Sequence, residues 1–285
     1  MTKANMTKAK STTASSPTAI ATLSCIGCAV FALLFYLFAG IPEKIGGEWA
    51  RPLWFRYGTY LLQSVAIALA AGLCLRNWSS PKIFSGRSVW LGLAIGSICW
   101  GVSNLIFGYF DIFTDDIPFP TVADWTFVTG YLFLAWGMAM SVMGRRLNLT
   151  LVQWLLVVSV SLVGLAIGAI VTLFPGSDTS GAELDLLRLA MSAVYALVDV
   201  WMLIVATILL MAFSGGKAAQ SWRLLAGAGI AMFIGDLGFN FAIKSPEYAT
   251  GSWIEWFWVL AFSLFGMAAA LEFDISARTT PRRRG

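Results

Sequence analysis

Eight stretches of the chain are predominantly apolar, at about 18–40, 54–75, 88–110, 122–143, 149–174, 184–213, 222–243 and 252–272. Crossing roughly 30 Å of hydrocarbon takes about 20 such residues in a helix, and each stretch is that long. The connections are short. The expected fold is therefore all-α, a polytopic membrane helix bundle of eight transmembrane helices over 18–272. Residues 1–17, rich in Lys, Thr and Ser, are expected to be a disordered cytoplasmic N-terminus, and 273–285 a basic cytoplasmic tail. The first apolar run is too long for a signal-peptide core and reads as an uncleaved anchor.

The runs are related to one another. Arg56, Tyr60 and Gln63 of the second fall on Arg188, Ser192 and Tyr195 of the sixth, and "SNLIF" (Ser103–Phe107) falls on "GDLGF" (Gly235–Phe239). After a contraction of the loop before the last span, "LAWGMAM" (Leu134–Met140) falls on "SLFGMAA" (Ser263–Ala269). These matches suggest two parallel four-helix repeats, 18–143 and 149–272, related by an axis along the membrane normal. Inverted repeats, common in alternating-access transporters, need an odd number of spans per half.

Polar residues interrupt the runs at helical spacing. Arg188, Ser192, Tyr195 and Asp199 share one face of span 6, with Asp199 roughly 16 Å deeper than Arg188. Asp236, Asn240 and Lys244 share a face of span 7, and Trp100, Asn104, Phe107 and Asp111 form a stripe in span 3. Asn104, Arg56, Arg188, Asp236, Asn240 and Glu255 belong to one half of the bilayer, with Asp199 near the midplane, while the other half is almost wholly apolar. The asymmetry predicts a polar cavity open to, or just beneath, one face. Ionisable groups at such depth are paired or functional. Three readings stay open: interhelical hydrogen bonding, ligand or ion recognition, and proton coupling.

Charge orients the bundle. Most of the 19 basic residues fall at the N-terminus, in alternate loops and in the tail, whereas Glu43, Glu48, Asp111, Asp115, Asp116, Asp178, Glu183 and Glu247 fall in the others. The positive-inside bias places both termini in the cytoplasm, and the polar half faces outward across an inner (cytoplasmic) membrane. With 58% hydrophobic and 12% charged residues, the formal charge of +4 reflects topology, and no nucleic-acid partner is expected. There is no histidine. That removes His-ligated haem, His-based zinc sites and His general bases. Cys25, Cys28, Cys74 and Cys99 lie within spans, and the Cys25–Cys28 spacing has no second pair, so they read as small apolar residues.

In "DDIPFPTVADWTFVTGYLF" (Asp115–Phe133), Pro118 and Pro120 stop one helix and Asp124 sits where a first-turn acid caps the next, with a lid over the expected cavity as the alternative reading. Trp125 suits the interface, as do Trp253, Trp256 and Trp258. Gly92-xxx-Gly96 and Gly164-xxx-Gly168 permit close helix approach, read as internal packing. The sequons at Asn77 and Asn148 fall on cytoplasmic loops.

Three segments, "PFPTVADWTFVTGYLF" (Pro118–Phe133), "VYALVDVWML" (Val194–Leu203) and "IGDLGFNF" (Ile234–Phe241), carry a family likeness. Together the chain resembles the polytopic N-terminal membrane sensor modules of bacterial diguanylate cyclase and phosphodiesterase proteins. The resemblance implies a sensory membrane module, with Asp124, Tyr195, Asp199 and Asp236 as its signature positions. Ala196 stands where the family usually has proline, and no cyclic-dinucleotide domain is expected after Leu271.

The leading expectation is a sensor-type membrane protein. An outward cavity lined by Asn104, Arg188, Tyr195, Asp199, Asp236, Asn240 and Glu255, beneath Asp124, with Trp125 and Trp256 at its mouth, would bind a small or apolar ligand. A membrane or cytoplasmic protein partner would read the helix positions. An ion- or proton-coupled transporter and an accessory subunit of a larger, pigment-bearing membrane complex are the alternatives. No nucleophile–base or metal-ligand constellation is present, so no enzyme is expected. Nothing in the sequence names a cofactor. The tail Arg282–Arg284 is expected to grip anionic lipid.

Overall fold

A computed structural model describes residues 17–45, 48–114, 120–143, 147–173, 186–213, 217–245 and 247–279. Nearly all of the N-terminal segment, the 115–119 stretch, Arg145, Arg146 and the Arg282–Arg284 tail lie outside them. Eight α-helices follow in order: α1 Pro17–Phe38, α2 Leu53–Ser79, α3 Arg87–Phe113, α4 Val122–Val142, α5 Leu151–Leu173, α6 Leu186–Ala212, α7 Lys217–Ala242 and α8 Trp256–Thr279. A short antiparallel ribbon, β1 Glu43–Ile45 with β2 Glu48–Ala50, joins α1 to α2. All eight helices are long and apolar enough to cross a membrane, so the chain is an integral multi-pass membrane protein.

Helices outrun the hydropathy that announces them. α2 continues through Arg76 and Asn77, α7 begins at Lys217, and α8 runs through seven residues of the expected tail to Thr279. The reason is that backbone hydrogen bonding carries on into the headgroup region after the side chains turn polar. An even number of crossings returns the chain to its starting end. Pro17 and Thr279 therefore share a basic end with Arg76, Lys82, Arg87 and Arg223, while Asp111, Asp124 and Glu247 mark the opposite, acidic end.

In hydrocarbon the helices associate by close packing rather than by escape from water. α3 packs along α4, α2 along α3 and α7 along α8. The α3–α4 crossing brings backbones together: a Cβ on Gly92 would stand 2.7 Å from the Gly137 Cα, and one on Gly96 would stand 2.8 Å from the Leu134 nitrogen. The Gly92-xxx-Gly96 pattern thus serves internal packing, as does Gly164-xxx-Gly168 against Ala196, Val200 and Leu203 of α6. α2 lies against α8 and α6 against α4. α1 rests on α8 and α2, whereas α5 rests on α6 and α7. Trp90, Trp100, Tyr131, Leu134, Met138, Met202, Phe262 and Phe265 fill the centre.

Candidate functional site

At the acidic end α4 begins with a capping box. The Thr121 hydroxyl accepts from the Ala123 and Asp124 nitrogens at 3.0 and 3.4 Å, while the Thr121 nitrogen donates to the Asp124 carboxylate at 2.6 Å. Asp124 is thereby the first-turn acid expected from its position. The Tyr195 hydroxyl of α6 donates to the Asp124 carbonyl oxygen at 3.2 Å, which ties α6 to this cap. Trp125 is 54% exposed and faces away from the bundle, so it lines no interior mouth.

One layer inward, Asp236 of α7 joins three helices. The Tyr131 hydroxyl of α4 donates to one carboxylate oxygen and the Trp258 indole N–H of α8 donates to the other at 2.9 Å. Asn240 sits one turn along α7 and donates to the Asp236 carbonyl oxygen at 2.9 Å. The Tyr131 ring meets Tyr195 edge-on at 5.7 Å and Trp100 at 4.6 Å. Asp124, Tyr195, Asp236 and Asn240 are thus one connected cluster, built through Tyr131 and Trp258. Asp199, one turn below Tyr195 on α6, is 8% exposed, and its Oδ1 is shielded from solvent without a hydrogen-bond partner. Arg188 stands in the first turn of α6, and its side chain lies outside the described residues.

Glu255 belongs to a second cluster, formed where α1, α2 and α3 meet the segment before α8. Its carboxylate accepts from the Gly251 and Ser252 nitrogens at 2.7 and 3.2 Å, the Tyr248 hydroxyl at 2.8 Å and the Gln63 amide at 3.2 Å. Gly251 has φ +87°, a conformation that L-residues rarely adopt, and this aims its N–H at Glu255. Burial, then the Glu255 charge, push the Tyr248 phenol well above its usual range. Beside it Asp111 takes Arg56 in an ion pair at 3.0 Å and the Thr250 hydroxyl at 3.0 Å. Asn104 donates to the Tyr60 carbonyl oxygen at 3.3 Å and to Ser64 at 3.1 Å, which pins α3 to α2. Trp256 turns toward α1 and donates to the Ala29 carbonyl oxygen at 2.8 Å. The ring series Tyr248, Phe239, Trp258, at 5.8 and 5.2 Å, connects the two clusters.

The expected polar cavity therefore takes a different form. Asn104, Tyr195, Asp236 and Glu255, predicted to line it, are instead spent on groups of neighbouring helices and of the turn before α8, because in a bilayer a polar group finds its partner within the bundle. Among the described residues an apolar groove of about 210 Å³ lies between α5, α6 and α7, lined by Ser159, Val160, Val163, Gly164, Ile167, Leu203 and Phe233. Leu203 lies one turn from Asp199 and Phe233 less than one turn from Asp236.

The expectation of an almost wholly apolar inner half also changes. At the basic end Glu272 is buried and accepts from the Ser85 nitrogen and the Ser221 hydroxyl, each at 3.1 Å. Among the described residues no group of three His, Cys, Asp or Glu is placed to hold a metal ion.

The sequence reading missed Tyr131, Trp258, Tyr248 and Gln63 as members of these clusters. A usable signal existed for Tyr131: a tyrosine deep in a span, away from the interface, needs a partner for its hydroxyl. No protein-family model matches the chain, and no curated protein or solved structure does either.

Proposed function

We propose that the protein is a membrane sensor module that binds a small ligand with an apolar body and a hydrogen-bond-donating head. Its acidic end would face outward from a bacterial inner membrane and its basic end the cytoplasm, in keeping with the positive-inside bias. The observation that carries this reading is the free, buried Oδ1 of Asp199, one turn from the apolar groove. A buried acceptor without a donor costs about 1–3 kcal/mol, and a ligand head offering N–H or O–H recovers it. The ligand body would occupy the groove between α5, α6 and α7. Its arrival would bear on α6 and α7, which reach the basic end where a cytoplasmic or membrane partner would read them. The likeness to sensor modules at Tyr195, Asp199 and Asp236 points the same way.

A transporter is less well supported. Ser97 and Thr207, between the two ends, give their hydroxyls to carbonyl oxygens of their own helices at 2.7 and 2.8 Å, leaving no polar route onward through those side chains.

Native mass spectrometry of the full chain, extracted from its own membrane in mild detergent, tests the reading. The expected result is one stoichiometric small-molecule mass on the wild type, lost on Leu203→Trp. Asp199→Leu removes the acceptor and should weaken its retention about tenfold, the worth of one hydrogen bond to a buried group, without lowering the melting temperature. A bare wild type, or equal retention by both variants, would sink the proposal.

A further inference from the structure

The basic end carries a feature that neither cluster uses. Arg76, in the last turns of α2, lays its guanidinium over the Phe273 ring of α8, 4.1 Å from the ring centre. Its Nε and Nη2 are shielded from solvent and make no hydrogen bond. These two nitrogens form the side-on fork of a guanidinium, the edge that takes a carboxylate or phosphate in a bidentate grip. Nearby acids are engaged elsewhere: Asp274 pairs with Arg278 at 2.9 Å, and Glu272 accepts from Ser85 and Ser221.

On the membrane side, Leu61, Val65, Ala68 and Gly72 form an exposed stripe along α2 that leads up to Arg76. At Gly72 a Cβ would meet nothing within 4 Å. The stripe is apolar and ends at Gly72, one turn before the cation in the last turns of α2.

We propose that this corner binds an anionic phospholipid, its phosphodiester on the Nε/Nη2 fork of Arg76 and an acyl chain along α2 over Gly72. A lipid fits better than a free anion because the site continues into hydrocarbon directly below the cation, and because an unpaired guanidinium at a bilayer edge draws its counter-charge from the headgroups. Arg76 is itself only half-buried, so a rotamer change, the least costly move of a side chain, turns the fork to the headgroup layer.

The test is delipidated full-length protein in neutral detergent, titrated with phosphatidylglycerol, phosphatidylcholine or inorganic phosphate, and read by native mass spectrometry and thermal melting. Wild type should retain one phosphatidylglycerol and melt higher with it, while inorganic phosphate at the same concentration leaves the melt unchanged. Arg76→Lys keeps the charge and loses the fork, so it should bind at least about fivefold more weakly. Gly72→Leu leaves Arg76 untouched and fills the stripe, so it should also lose the lipid while remaining folded. Arg87→Gln, whose side chain is held by the Trp78 carbonyl oxygen, should bind as wild type. Wild-type binding by both Arg76→Lys and Gly72→Leu would overturn the proposal. Equal stabilisation by inorganic phosphate would overturn the lipid as occupant, and equal retention of phosphatidylcholine would overturn the demand for net negative charge.

Discussion

Glu255→Ala should destabilise the protein by about 3–5 kcal/mol, the larger part of it confined to the acidic end. Four donors converge on this one carboxylate, two from the backbone of the turn before α8, one from Tyr248 and one from Gln63 of α2. Truncation leaves the Gln63 amide and Tyr248 hydroxyl buried without an acceptor, each costing about 1–3 kcal/mol, while the two backbone N–H groups relax toward solvent. The turn also loses the reason for its Gly251 conformation. In a chain of this size a loss of this order lowers the melting temperature by roughly 10 °C, which a thermal melt in detergent resolves. Limited proteolysis should show new cleavage at 244–252. Glu255→Gln retains an acceptor oxygen and should recover about half of the loss. If Glu255→Ala melts within a degree or two of wild type, the convergence of donors does not hold α2 to α8.

The same turn responds to alkali. Because Tyr248 is held neutral, with its pKa raised in the folded chain, its contribution is complete below the ordinary phenol range near pH 10 and is lost as pH rises beyond it.

Gly137→Val should abolish the folded monomer, or cost several kcal/mol, the second large effect expected. A Cβ at Gly137 would stand 2.8 Å from the Leu93 nitrogen and 2.9 Å from the Val89 carbonyl oxygen. Both are backbone atoms of a continuous helix, so no side chain can step aside. The helices would have to separate, breaking the contact that Gly92 and Gly96 make from the other side. Overpacking where a side chain can yield costs about 1–3 kcal/mol, and here nothing yields. Gly27→Val is the matched control, since a Cβ there meets nothing within 4 Å. Size-exclusion profiles of the two variants in detergent provide the check. An intact, monodisperse Gly137→Val protein would mean that the α3–α4 crossing is looser than described.

The two clusters show how far the chain could be read in advance. Asp124 was legible as a helix-capping acid because its partner Thr121 is three residues away, and the prolines before it announce the break. The helical stripes carrying Asn104, Tyr195, Asp199 and Asp236 were legible because helical spacing is local. Their destinations were not. Asp236 ends on Tyr131 and Trp258, Glu255 on Gln63, and Asn104 on Ser64, pairings that join separate helices. A stripe of polar residues looks the same whether it lines a cavity or meets donors on a neighbouring helix. The expectation of a polar cavity followed from that ambiguity.

Membrane insertion, the number of crossings and the charge difference between the two ends follow from short windows of sequence, because each helix meets hydrocarbon or headgroups on its own account. Which polar groups are consumed in pairs, and which, such as Asp199 Oδ1 and the Arg76 fork, are left over, depends on how eight helices lie against one another. In a solvent without water or a strong apolar driving force between helices, that arrangement is selected by close approach at a few glycines and by donors meeting acceptors across the bundle. Gln63 and Glu255 meet although 192 residues separate them, a relation that no local pattern encodes.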